Sequence, residues 1–204
     1  MMETRRTPLE PEKYYHIYNR GVNSQNLFFE DKNYDYFLQK YAQYVYPFVE
    51  TFAYCLLKNH FHILLRVRSE NEIREFLKGA KADRTTAWLV SNAFSSLFQS
   101  YSQAINKRFE RTGALFEEPF HRIGVDTDAY FTRLVWYIHH NPQKHGFVND
   151  FRDYAHSSYW SHLQEKSTKL QRQEVLDWFG NANEYEKFHL LQQQDKGLKE
   201  ITLE

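Results

Sequence analysis

The stretch "FVETFAYCLLKNHFHILLRV", residues 48–67, decides the fold. Two runs rich in β-branched and aromatic residues flank Lys58-Asn59, a polar pair that reads as a turn because asparagine tolerates φ > 0. Phe48 to Val67 is therefore expected to form a β-hairpin, with "FVETFAYCLL" as one strand and "HFHILLRV" as the next. Side chains alternate between faces along a strand, so His60 and His62 would point one way and Phe61 the other. Two imidazoles on one face suit chelation of a single ion. They equally suit a strand start with one exposed and one hydrogen-bonded histidine, and H-x-H alone does not separate the two.

Outward from the hairpin, "KYYHIYNRGV" reads as an earlier strand, Tyr14 to Asn19, ending in a glycine turn at Gly21. "DKNYDYFLQKYAQYV" places Tyr34, Phe37, Leu38 and Tyr41 at helical spacing, with Asp31 as N-cap. After the hairpin come a short helix at "NEIREFLKGA", a polar stretch at "KADRTT", and a long helix at "WLVSNAFSSLFQSYSQAINKRFER". "RTGALFEEPFHRIGV" breaks at Gly113 and then reads as extended, a fourth strand or hairpin. "DTDAYFTRLVWYIHHNPQKHG" reads as a helix capped by Asp126 or Thr127. It is expected to close near Asn141, because proline disfavours helical backbone in the residue before it.

This order of strands and helices predicts an α+β fold, an antiparallel sheet with helices packed on it. After "DYAHSSYW" the sequence turns polar, and "KLQRQEVLDWFG" and "NEYEKFHLLQQQ" predict two short amphipathic helices. They form an appendage with too little apolar surface to stand alone. The expected division is 1–162 for the main domain and 163–204 for the helical extension.

Composition narrows the function. Of 204 residues 42% are apolar and 18% aromatic, which favours an ordered core and also supplies ring faces for stacking. The single Cys55 excludes an internal disulfide framework and a cysteine-based zinc site. No stretch approaches the roughly 20 apolar residues of a membrane helix. The start, "MMETRRTPLEPEKYY", has no hydrophobic signal region, so a cytoplasmic location is the expectation. Net charge is zero, so any nucleic-acid contact must come from local patches rather than an overall field.

Tyr137 and Asn141, in "WYIHHNP", are spaced i and i+4 and so share a helix face. Asn141 offers a carbonyl oxygen to an ion that a histidine pair holds incompletely, since Mg²⁺ prefers oxygen. A phenol near a metal-bound phosphate can attack phosphorus. The ordinary alternative is that Tyr130, Leu134, Tyr137 and Ile138 form a core stripe and that Asn141-Pro142 is a helix stop. Asn19 and Arg20 precede Gly21, while Lys107, Arg108 and Arg111 precede Gly113, followed by Arg122 and Lys144. These are either phosphate contacts or a solvated rim.

Five stretches together resemble the single-tyrosine HUH transposases, and most closely their REP-associated tyrosine transposase branch. They are "HIYNRG" (16–21), "NHFHILL" (59–65), "RTGALFEEPFH" (111–121), "YIHHNPQKHGFV" (137–148) and "SSYW" (157–160). Lys58 stands where this family commonly has proline. The resemblance implies a ferredoxin-like antiparallel sheet with helices packed on one face, plus the small C-terminal helical appendage. It implies that His60, His62 and Asn141 hold a divalent ion, Mg²⁺ or Mn²⁺, and that Tyr137 attacks a phosphodiester of single-stranded DNA. Cleavage would leave a 5′-phosphotyrosine and a free 3′-OH at a site beside a DNA hairpin. Asn19, Arg20, Lys107, Arg108, Arg111, Arg122 and Lys144 would be the DNA contacts. For the proton of Tyr137 the candidates are His121 and His140, with Tyr130 as the next phenol to test. The resemblance involves no membrane and leaves a homodimer open. The competing readings are a domesticated protein that binds hairpin DNA or RNA without strand transfer and, more remotely, an unrelated histidine-metal hydrolase.

Overall fold

The computed structural model describes residues 7–81 and 83–191. The hairpin forms as expected, with β2 at Val49–Leu56 and β3 at His60–Val67. Lys58 and Asn59 make the turn, closed by the Leu57 amide donating to the His60 carbonyl at 2.8 Å. Asn59 does not use a positive φ, contrary to expectation. The turn is held from outside instead: Lys58 O accepts from the amides of Leu27 and Phe28, and Asn59 O accepts from Gly21 N. Gly21 is required there, since a Cβ would lie 2.0 Å from the Gln25 carbonyl oxygen.

Strand β1, Tyr14–Arg20, pairs antiparallel with β3 on one side and on the other with β4, His121–Val125. The sheet order is β2-β3-β1-β4. Helix α1, Asp31–Tyr44, connects β1 to β2, and α3, Thr86–Arg108, lies between β3 and β4 after the short α2, Glu70–Leu77. This is the split βαβ arrangement of a ferredoxin-like sheet. Asp31 is the first helical residue of α1 rather than its cap; Glu30 caps it in a reciprocal box with Asn33.

Phe61, Ile63, Leu65 and Val67 of β3 join Phe37 and Tyr41 of α1 and Leu89, Phe94, Leu97 and Tyr101 of α3 in one apolar cluster. The opposite sheet face carries Phe52, Cys55 and Leu64, packed under α4, Asp128–Lys144. The helices of the βαβ units thus lie on one face as anticipated, and α4 adds a layer on the other. Thr127 caps α4, its side chain accepting from Tyr130 N. Contrary to expectation α4 does not stop at Asn141 but continues through Pro142. Every residue from Leu134 to Pro142 is buried, and this packing outweighs the local cost of proline.

The tail belongs to that second layer. A short α5, Tyr159–Leu163, precedes α6, Arg172–Phe179, and α7, Ala182–Leu191. Tyr159, Val175 and Tyr185 are buried in the α4 cluster. The 156–158 segment also lines the free edge of β2, with Leu56 N donating to His156 O and Ser158 N to Tyr54 O. Gln192 to Gln194, the end of the second expected tail helix, lie outside the described residues.

Candidate active site

β1 and β3 are in register such that Tyr18 faces His62 and Arg20 faces His60, while across the other edge Tyr18 faces His121. A row of polar rings therefore crosses three strands on the α4 side of the sheet. The Tyr18 and His121 rings stack 4.5 Å apart, and the His60 and His62 centroids are 5.2 Å apart. α4 lies over this row and presents Tyr137 edge-on to His62, centroids 5.5 Å apart, and to His16 at 6.3 Å. The helix bearing Tyr137 meets the chain's own histidine pair. Between them is a pocket of about 610 Å³, lined among others by Asn19, Arg20, Ser24 and Phe147.

Of the two histidines, His60 is fixed as a lone-pair donor, while the tautomer of His62 depends on its partner. His60 Nδ1 lies 2.8 Å from Asn59 Oδ1, an oxygen that only accepts, so Nδ1 carries the proton and Nε2 the lone pair. That Nε2 is buried with no hydrogen-bond partner. His62 Nδ1 is engaged by His16 Nε2 at 2.9 Å, leaving Nε2 for the pocket. Burial, chiefly, and then electrostatic repulsion involving His145, Arg20 and Lys144 lower the His60 pKa to about 4. Burial also holds His62 well below its ordinary value, reinforced by His16, His60, His145 and Lys144. Both rings are neutral at pH 7, as ligation requires.

Asn141 is wholly buried one turn beyond Tyr137. Its Nδ2 donates to the Tyr137 carbonyl at 2.9 Å, while its Oδ1 is buried without a partner. Among the described residues no group of three or more His, Cys, Asp or Glu side chains is disposed to hold a metal. Asn141 does not line the pocket itself, but its unpartnered amide oxygen lies one turn from Tyr137, and an oxygen together with the imidazole nitrogens of His60 and His62 is a donor set that suits a divalent cation.

The expected DNA contacts are not gathered in one place. Arg20 lines the pocket and pairs with Glu117 at 2.7 Å, and the Lys144 ammonium lies 5.3 Å from the Tyr137 ring centre. Asn19 is buried, with its amide committed to Glu117 O and Arg20 N. Arg111 reaches Gln25 and Asn106, next to the Ser24 turn. Lys107 and Arg108 are exposed at the end of α3, where Arg108 approaches Glu30. Arg122 bonds Ser91 of α3, on the far side of the sheet. His140 is turned away from the pocket, its Nδ1 donating to Trp136 O and its ring 3.9 Å from Phe151. The second phenol in the pocket is Tyr18, not Tyr130.

Three residues that sequence reasoning did not single out are His16, Tyr18 and His145. The His145 ring lies 5.0 Å from that of His60. It falls two helical turns after Tyr137 on the stripe that includes Asn141, and that spacing was the available signal.

No family model matches the chain. It is 27% identical over 140 residues to a Haemophilus influenzae protein provisionally named a REP-associated tyrosine transposase, covering 68% of this chain and 70% of that protein. It also resembles a solved structure of a REP-associated tyrosine transposase bound to a REP hairpin, with TM-score 0.56 and 14% identity over 80% of this chain and 86% of the other. The chain is thus similar in sequence to one protein given the name REP-associated tyrosine transposase, and in fold to another.

Proposed function

We propose that the protein is a transposase-like enzyme that binds hairpin-forming DNA and cleaves and rejoins a single strand beside the hairpin. Tyr137 is the nucleophile and a 5′-phosphotyrosine the intermediate. The observation carrying this reading is the tyrosine of α4 set edge-on, 5.5 Å away, against a neutral histidine pair in an open pocket.

In the proposed step the Tyr137 hydroxyl oxygen loses its proton and attacks phosphorus. The P–O3′ bond breaks and the departing 3′ oxygen takes up a proton, so the phosphotyrosine bond is available for rejoining. Lys144, over the Tyr137 ring, favours the phenolate. His121 and His145 are the pocket imidazoles outside the ligand pair and serve as proton carriers. His60, His62 and Asn141 would hold Mg²⁺ or Mn²⁺, whose contribution when bound is to neutralise charge on the scissile phosphate. Arg20 binds a backbone phosphate at the pocket rim.

The test is a hairpin oligonucleotide with a single-stranded flank, incubated with protein and Mn²⁺ and run under denaturing conditions. A covalent protein–DNA adduct is expected from wild type and none from Tyr137→Phe. Tight hairpin binding with no adduct under any divalent ion would favour a hairpin DNA- or RNA-binding protein without strand transfer. That second reading has one observation on its side: Tyr137 is only 6% exposed.

A further inference from the structure

His16 is wholly inside the protein at 1% exposure, yet it is a polar ring pressed against the candidate ligand His62. Their Nε2 and Nδ1 atoms are 2.9 Å apart, and the rings stack at 5.1 Å. The second nitrogen of His16, Nδ1, is buried with no partner. The Tyr137 ring packs edge-on against both imidazoles. The proposal below rests on the metal-dependent reading of this pocket.

Two neutral imidazoles joined nitrogen to nitrogen share one proton, and its position fixes the other end of each ring. With the proton on His16 Nε2, His62 Nδ1 accepts, and His62 Nε2 is an N–H that can only donate into the pocket. With the proton on His62 Nδ1, His62 Nε2 is a bare lone pair that can only accept or ligate. His16 then carries its own proton on Nδ1. We propose that His16 is a positioning residue whose bond to His62 lets that ring change between a donor and a ligand to a divalent cation. The buried orphan atom supports this direction of bias. Without a cation, the arrangement that leaves a lone pair rather than an N–H unpaired at His16 Nδ1 is the less costly one. A cation at His62 Nε2 reverses the preference. Binding then needs no proton released to solvent from this pair, only its relocation. His60 works differently, because Asn59 Oδ1 holds it permanently in the ligand tautomer.

The test compares wild type, His16→Leu and His16→Gln, with His60→Ala as the control for the ion site. Mn²⁺ affinity is read by electron paramagnetic resonance, and imidazole tautomers by ¹⁵N NMR without and with Mg²⁺. His16→Leu removes the partner of His62 Nδ1 and is expected to weaken Mn²⁺ binding about 10- to 100-fold, as loss of an outer-shell partner does. His16→Gln, whose amide oxygen accepts from His62 Nδ1, is expected to restore most of it. In wild type, a nitrogen–nitrogen coupling across the shared proton is expected, with His62 protonated on Nε2 before Mg²⁺ and on Nδ1 after. Mn²⁺ binding by wild type that persists unchanged in folded His16→Leu would overturn the proposal alone. So would a His62 tautomer that Mg²⁺ does not move. Absence of Mn²⁺ binding in wild type would overturn the metal reading and the proposal together.

Discussion

Lys144 shows how much one side chain at the rim is asked to do. Its ammonium sits 5.3 Å from the centre of the Tyr137 ring, and an exposed opposite charge so close favours the phenolate by about 0.2–1 kcal/mol. Replacing it with methionine keeps the stem and removes the charge. The expected result is adduct formation slowed about threefold at pH 7, with a smaller defect at pH 9, where the phenol ionises more readily. A rate deficit that is the same at both pH values would place Lys144 on the DNA backbone rather than on the nucleophile. The residues that could be picked out from sequence were those in compact motifs: His60 and His62 two apart, Tyr137 and Asn141 one turn apart. Tyr18 and His16 were not, because their place beside His62 depends on the pairing of β1 with β3, a register written in no single segment.

At the scale of elements, the hairpin and β1 were legible within a residue or so because alternation and turn chemistry are local. The end of α4 was not. Local rules stop a helix before Pro142, but ten buried positions bind this helix between the sheet and the tail. Carrying α4 past the proline is what brings His145 to the pocket and Lys144 over the Tyr137 ring. The tail shows the same override: α6 and α7 look polar alone, yet Tyr185 has no exposed surface and stacks on Tyr159. Arg66 of β3 also holds Glu174 of α6 through its two terminal guanidinium nitrogens, at 2.9 and 3.1 Å. Tyr185→Ala should therefore cost about 3–5 kcal/mol, the range for losing a large buried aromatic. It would be measured as a lower urea midpoint with an unchanged slope. A loss below about 1 kcal/mol would mean that the tail adds little to the α4 layer.

For the whole molecule, the chain is neutral in sum but the α4 side of its sheet is loaded with imidazoles, and a second group of them ties α4 to α5 and α7. His189 Nδ1 donates to Tyr185 O at 2.7 Å, which leaves its Nε2 to accept from His139 Nδ1 at 2.9 Å. His139 Nε2 then accepts from the Ser158 hydroxyl at 2.8 Å, and that oxygen in turn accepts from Tyr54 N. Every bond in this chain requires neutral rings; a proton added to His189 Nε2 would set one N–H against another. Burial first of all lowers the His189 pKa to about 3 and that of His162 in α5 to about 4. A folded-state pKa below the unfolded value, near 6.5, means that the unfolded chain binds more protons between the two. The stabilising contribution is thus intact above about pH 6.5 and is lost as the pH falls towards 4. Each of these two histidines should remove about 2 kcal/mol by pH 5, at about 1.4 kcal/mol per pH unit. Urea midpoints are expected to be level from pH 8 to 7 and to fall steeply between 6.5 and 5. His189→Gln, which can keep a donor and an acceptor in place without titrating, should flatten that slope even if it lowers the plateau. A midpoint constant down to pH 5 in wild type would show that the histidine layer opens to water without unfolding the sheet.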